Sequence, residues 1–174
     1  MSAGAPRRRA APGARSPRGP GAALTHRPEV LYQASFERIA EAQVLLDARA
    51  WALSMYVSGL AIEALLQAFA ARGGAQRDAH HDLRTWLRRG PDELLRVITL
   101  TAAGEWSLLD VAWSNSLRYL SQDGLLGYLG SRRLNVGIKT GKGGREAVLK
   151  VNAKRLLDAA RTVHGKGVSL WRGA

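Results

Sequence analysis

Tyr56-Val57-Ser58-Gly59-Leu60-Ala61-Ile62-Glu63-Ala64-Leu65-Leu66 runs on to Arg72-Gly73-Gly74 and then to His80-His81-Asp82-Leu83. The first piece carries one carboxylate, Glu63, in an otherwise uncharged run. Trp51, Met55, Ile62, Leu65, Leu66 and Phe69 fall on one broad helical face. Tyr56, Leu60, Glu63 and Gln67 share a second stripe at offsets of four, seven and eleven. A helix that is apolar nearly all round belongs at the centre of a bundle. Its expected span is Ala48 to Arg72, with Asp47 as cap and Gly73-Gly74 as stop. Asp82 then opens the next element.

Working outward, Pro28-Glu29 sets an earlier helix start, with proline tolerated in the first turn and a carboxylate at the positive end. Leu31, Ala34, Phe36, Ile39, Ala42 and Leu45 continue it to about Leu46. A short helix is expected from Asp82 to Arg89, and another from Pro91-Asp92-Glu93 through Ile98. Trp106, Leu109, Trp113, Leu117 and Leu120 repeat at three and four residues, which predicts one helix over about 105–121. The last helix is expected over 145–163, with Gly165 as its stop. Between Gly124 and Gly144 seven glycines interrupt the pattern and basic residues appear, so residues 124–144 read as a Gly-rich basic insertion, with a small hairpin at 132–139. These elements predict an all-α, up-and-down bundle of four to six helices over residues 28–174.

Residues 1–27 hold six arginines and no acid, in a context of Ala, Gly and Pro without hydrophobic period. Such a segment buries too little apolar surface to offset its ordering entropy, so a disordered basic tail is expected. It reads either as a nucleic-acid arm or as an upstream-start extension. The full chain has a formal net charge of +12; outside the tail, 20 basic side chains face 14 acidic ones. That excess points to anionic partners, nucleic acid first. The absence of cysteine excludes disulfides, thiolate zinc sites and cysteine nucleophiles. The charge-free stretch 50–62 falls short of the ~20 residues a bilayer span needs, and Glu63 and Gln67 follow it. A soluble, cytoplasmic protein without membrane contact is expected.

The glycine-bearing helix with its lone carboxylate, the Gly-Gly stop and the His81-Asp82-Leu83 segment together resemble the HEPN domains of prokaryotes. These small helical modules are often RNases or RNA-associated partners in toxin–antitoxin and defence systems. The resemblance covers roughly Leu31 to Tyr119 and is strongest over Tyr56 to Leu87. It implies a HEPN-like bundle and a two-fold homodimer with its site between protomers. HEPN nucleases carry an arginine, four to six intervening residues, and a histidine on a late helix. Here Arg77 lies three residues before His80 and four before His81, while Arg161 lies three before His164. None fits, so the chain departs from the nuclease pattern.

His81, Asp82 and Arg118 are the candidates for residual catalysis. Asp82 is placed to cap a helix and orient an imidazole; alternatively it is a cap alone, and His81 packs on Tyr56 or Glu63. In the late-helix position stands Trp113-Ser114-Asn115-Ser116-Leu117-Arg118-Tyr119, whose Arg-Tyr pair is similar to an element of the non-nuclease HEPN subgroup. Arg118 is expected either to pair with Glu63 or Asp82 or to touch phosphate from a groove. Tyr56, Glu63 and Tyr119 form the expected structural polar cluster. Glu63 should be paired with Arg118 or His81, because a buried unpaired carboxylate is too costly. Arg132, Arg133, Lys139, Lys142 and Arg145 are the RNA-binding candidates. Gly141-Lys142-Gly143-Gly144 fails the Walker pattern because its lysine precedes the glycine pair. Adjacent histidines diverge and no third ligand stands at a readable spacing, so neither metal nor cofactor is expected.

Three functions follow as expectations. The first is a non-catalytic or degenerate HEPN module binding RNA or a protein partner, such as an antitoxin. The second is a divergent HEPN RNase toxin using His81, Asp82 and Arg118. The third is a scaffold partner of a nucleotidyltransferase.

Overall fold

The computed structural model describes residues 27–75, 81–138 and 144–173. The expectation of a disordered tail over residues 1–26 lies outside them. The described residues form an all-α, up-and-down bundle of seven α-helices and one 3-10 helix, more helices than the four to six expected. They are α1 (Pro28–Asp47), α2 (Trp51–Arg72), α3 (Leu83–Arg89), α4 (Asp92–Thr101), α5 (Ala103–Ala112), the 3-10 helix (Asn115–Tyr119), α6 (Gln122–Ser131) and α7 (Gly144–Gly173).

Helix α2 is the centre. It packs on α1, α3, α7 and the 3-10 helix, and Met55, Ile62, Leu65 and Leu66 are fully buried. By length and hydropathy it is apolar enough to cross a membrane, contrary to the count made from residues 50–62. Two-thirds of its most apolar window is nevertheless buried within the bundle. Its start also differs from expectation. Asp47 does not cap it; that side chain closes α1 and accepts from Gln43 Nε2 at 2.7 Å. The chain instead reverses through Ala48-Arg49-Ala50. The Ala50 N–H reaches back to the Leu45 carbonyl and the Arg49 N–H to Leu46, the hydrogen-bond pair of a Schellman cap.

Three further expectations are corrected. The helix over 105–121 is broken: α5 stops at Ala112, Trp113 is extended, and the Ser114 side chain caps the 3-10 helix. Helical periodicity continues through the break, but tertiary packing takes Trp113 out of register. Its indole N–H donates to the Tyr56 carbonyl at 3.0 Å, and the ring lies over Gly59, where a Cβ would fall 1.9 Å from Cδ1. Second, the start of the Gly-rich segment is helical. Ser121 caps α6, which carries Gly124, Gly127 and Gly130, while Leu125 and Leu129 anchor it in the core. Residues 132–137 are turn, and no hairpin occurs among the described residues.

Third, α7 does not stop at Gly165. It runs 30 residues to Gly173, about 45 Å at the α-helical rise. Glycine weakens a helix by roughly 1 kcal/mol against alanine, but packing at the far end outweighs it. Trp171 stacks on Tyr32 at 4.7 Å and meets Phe69 edge-on at 5.1 Å. The Arg72 guanidinium lies over the same indole and donates to the Trp171 carbonyl at 3.3 Å. Gly167 is where α7 crosses Leu65 closely, a Cβ there falling 2.6 Å from Leu65 Cδ2.

Candidate functional site

Glu63 is 3% exposed and lies one turn past Gly59 on the α2 stripe that faces α3 and the 3-10 helix. A carboxylate this deep must be hydrogen-bonded. His81 Nδ1 donates to both its oxygens, at 2.9 and 3.1 Å, and Gln67 Nε2 donates at 2.9 Å. Of the two partners expected for Glu63, His81 is therefore the one found. The imidazole is itself 40% exposed. Because Nδ1 is the nitrogen that meets the carboxylate, Nε2 is the ring nitrogen left for a ligand or for proton transfer.

Asp82 is a cap. It accepts from the Arg84 N–H at 3.1 Å and from the Thr85 hydroxyl at 2.5 Å. The Thr85 hydrogen bond above all, with the Arg84 and Thr85 N–H groups and nearby Arg88, lowers its pKa below the ordinary aspartate value. With both oxygens engaged at the helix start, Asp82 does not orient His81. Beside it, Arg84 holds Asp110 through a two-pronged ion pair, Nε to Oδ1 at 2.6 Å and Nη2 to Oδ2.

His81 and Asp82 line one wall of a cleft of about 260 Å³; Asp110, Trp113, Asn115 and Arg132 line the rest. Asn115 enters because the chain breaks helix at Trp113. Its Oδ1 is buried and has no hydrogen-bond partner among the described residues. Arg132 arrives from the turn after α6. Its Nε donates to the Val111 carbonyl at 3.0 Å, and its guanidinium lies 3.7 Å over the Tyr128 ring. Tyr128 donates to the Ala112 carbonyl at 3.0 Å, and burial raises its hydroxyl above the usual phenol range. The guanidinium is thereby fixed while the residue stays exposed.

Other expectations are not met. Arg118 is exposed and pairs with neither Glu63 nor Asp82; it lies over the Tyr119 ring at 4.6 Å and donates to the Tyr56 hydroxyl at 3.4 Å. Tyr119 is 75% exposed, so Tyr56, Glu63 and Tyr119 form no common cluster. Among the described RNA-binding candidates, only Arg132 lines the cleft. Arg133 is exposed in the same turn, and Arg145 faces Asp123 at 3.5 Å. Lys139 and Lys142 lie outside the described residues. Among the described residues no group of three or more His, Asp or Glu side chains is placed to hold a metal ion.

Sequence reasoning missed Asn115, whose place depends on the helix break, and the cations of a second concavity. That groove, of about 400 Å³, lies between the α1–α2 turn and α7 and is lined by Arg49, Lys150, Lys154 and Arg161. Spacing on α7 at zero, four and eleven would have flagged the three residues from that helix; Arg49 is a hundred residues away in sequence. No protein-family model matches the chain, and neither does any curated protein or solved structure.

Proposed function

We propose that this protein is a HEPN-like module that binds single-stranded RNA without cleaving it, as a cytoplasmic homodimer in a toxin–antitoxin or defence system. The observation that carries the reading is the cleft lined together by a fixed guanidinium, Arg132, a carboxylate-held imidazole, His81, and the amide residue Asn115. Arg132 suits a phosphate. The exposed imidazole of His81 suits the polar edge of an unstacked base, the part of single-stranded RNA that proteins read. The dimer and the biological setting rest on the HEPN resemblance.

Two features favour binding over catalysis. Asp82 is occupied as a cap and Asp110 by Arg84, so neither carboxylate complements His81 as a second proton-transfer group. Arg118 is not in the cleft at all. One observation favours a second reading, cleavage: Glu63 orients His81 as a carboxylate orients the general base of a hydrolytic site, and Arg132 supplies the cation.

The test is fluorescence anisotropy with a labelled single-stranded RNA, run beside a gel of the same RNA after incubation. Binding should weaken about tenfold in Arg132→Ala, the equivalent of ~1.4 kcal/mol, and further in Arg132→Ala/His81→Ala, with the RNA intact throughout. Equal affinity of parent and double variant would sink the cleft reading. Cleavage lost in His81→Ala would move the second reading to first place.

A further inference from the structure

The groove between the α1–α2 turn and α7 is a separate concavity from the cleft and shares no lining residue with it. Lys150, Lys154 and Arg161 stand on one face of α7, and Arg49 faces them from the turn. Eleven residues of α-helix separate Lys150 from Arg161, about 16 Å of rise, enough for several consecutive phosphates. We infer that this groove is a second nucleic-acid site, a track for the phosphate backbone of a single strand. The inference takes its ligand from the RNA reading above but does not depend on the cleft.

Two carboxylates, Asp47 and Asp158, line the groove beside the four cations, and neither closes it: Asp47 accepts from Gln43 Nε2 at 2.7 Å. Arg49 reaches Glu146 at 3.0 Å with both side chains more than half exposed, and Lys154 reaches Asp158 at 2.5 Å in an exposed pair. Surface pairs of this kind contribute little, so a phosphate can displace them at small cost. Arg161 donates to the neutral Gln43 amide at 2.7 Å and lies 3.8 Å from Asp158. Lys150 has no ionic partner among the described residues.

Backbone conformation supplies an independent observation. Among the described residues two non-glycine residues have positive φ, Arg49 at 61° and Arg133 at 57°. Both sit at the left-handed position of a Schellman cap, where glycine is the usual choice. For Arg133 the diagnostic bonds are Leu134 N–H to the Leu129 carbonyl and Arg133 N–H to Gly130. Strained non-glycine residues gather at functional sites. Here each is an arginine, one lining this groove and one next to the Arg132 of the cleft. The cations also line a concavity instead of crowning an apolar ridge, which suits a strand better than a flat bilayer.

The test uses the full chain and single-stranded oligouridylate, followed by anisotropy over a salt series. Six arginines lie in residues 1–27, so the readout is the difference between variants. Lys150→Glu/Lys154→Glu should weaken binding at low salt by more than tenfold and flatten the slope of log K against log salt. The expected flattening is about 1.4, two contacts at ~0.7 each. Lys150→Arg/Lys154→Arg should stay within twofold of the parent. Both positions are exposed, and an unchanged thermal midpoint checks the fold. Parent-like affinity and slope in the charge-reversed variant would overturn the inference, whatever Arg132→Ala does. Loss in the reversed variant with none in Arg132→Ala/His81→Ala would leave the groove standing and the cleft reading fallen. A parent that ignores oligouridylate yet binds vesicles containing phosphatidylserine would overturn the inference in favour of a membrane surface.

Discussion

Each side of the bundle holds a histidine, and the two are partnered in opposite ways. On the α2–α3 side His81 donates to a buried carboxylate, is 40% exposed and borders a polar cleft. On the α1–α7 side His164 is 6% exposed. Its Nε2 meets the Ser35 hydroxyl at 2.8 Å, and that hydroxyl in turn donates to the Tyr32 carbonyl at 2.6 Å. Phe36 packs edge-on against the ring at 4.6 Å. Burial lowers the His164 pKa to about 4, so near neutral pH it is an uncharged donor that ties α7 to α1. The partner and the solvent decide the role: a carboxylate and an open cleft prepare an imidazole for a ligand, while a hydroxyl in a sealed site makes it a fastener.

The sharpest way to break the α2–α3 side alone is Gly59→Ala. The new methyl would overlap the Trp113 indole, which a hydrogen bond to Tyr56 holds in place, and the cleft loses that wall. A cost of about 3 kcal/mol or more is expected, the upper end of overpacking, read by denaturant unfolding. Gly167→Ala is the matching change where α7 crosses α2. There the neighbour is the end of the Leu65 side chain, which can rotate away, and about 1 kcal/mol is expected. Equal costs would mean that Trp113 is not seated on α2 as described.

Acid tests the sealed histidine. His164 has a folded-state pKa below its unfolded value of 6.5, so below that value the unfolded chain binds the extra proton first. The stability it contributes is fully present above pH 6.5 and drains away as pH falls toward 4. The full loss is up to about 3 kcal/mol. His164→Gln keeps a donor for Ser35 but does not titrate. The difference between parent and variant in unfolding free energy should therefore change by that amount across this window; a difference independent of pH would show that the ring is open to water.

Glu63→Ala is the corresponding cut at His81, and it strands Gln67 as well. Breaking a pair buried on both sides costs about 3–5 kcal/mol, but this imidazole can turn to water. About 2 kcal/mol is expected, near that of a hydrogen bond to a charged group. Stability equal to the parent would mean that Glu63 faces solvent.

What could be read from the residues follows the range of the forces involved. Helix α2 was legible because its apolar period and Gly-Gly stop are local, and the Glu63–His81 pair because a lone carboxylate in an apolar helix must find a partner. The break at Trp113 was not legible: the spacing of Trp106, Leu109, Trp113 and Leu117 is helical, and a contact with Gly59 overrides it. The sequence of helix α7 reads as stopping at Gly165, because the stacking of Trp171 on Tyr32 that carries it on to Gly173 spans most of the chain. The glycines of α6 read as loop since nothing local reveals that Leu125 and Leu129 are fully buried. Cleft and groove each join segments remote in sequence, so what could be anticipated is Glu63, His81, the capping role of Asp82 and the basic character of Arg132.

The smallest expected effect separates strain from function at the turn that opens the groove. Helix α2 ends in the same cap as α1: the Ala75 N–H reaches Ala70 and the Gly74 N–H reaches Ala71, with Gly74 at φ 83°. There the left-handed residue is glycine and pays no steric penalty. At the end of α1 it is Arg49, whose Cβ makes the same conformation costly. Arg49→Gly relieves that cost but gives the unfolded chain more freedom to lose, so the net gain is expected at about 0.5 kcal/mol. Gly74→Ala, the reverse change at the twin turn, should destabilise by about 1 kcal/mol, since nothing there obstructs a Cβ and the penalty is conformational. If Arg49 serves the groove, Arg49→Gly must also weaken oligouridylate binding while the protein becomes slightly more stable. Opposite signs in the two assays, unfolding and binding, are the expected result. A variant both more stable and equal to the parent in RNA affinity would leave Arg49 as a strained turn residue with no part in binding.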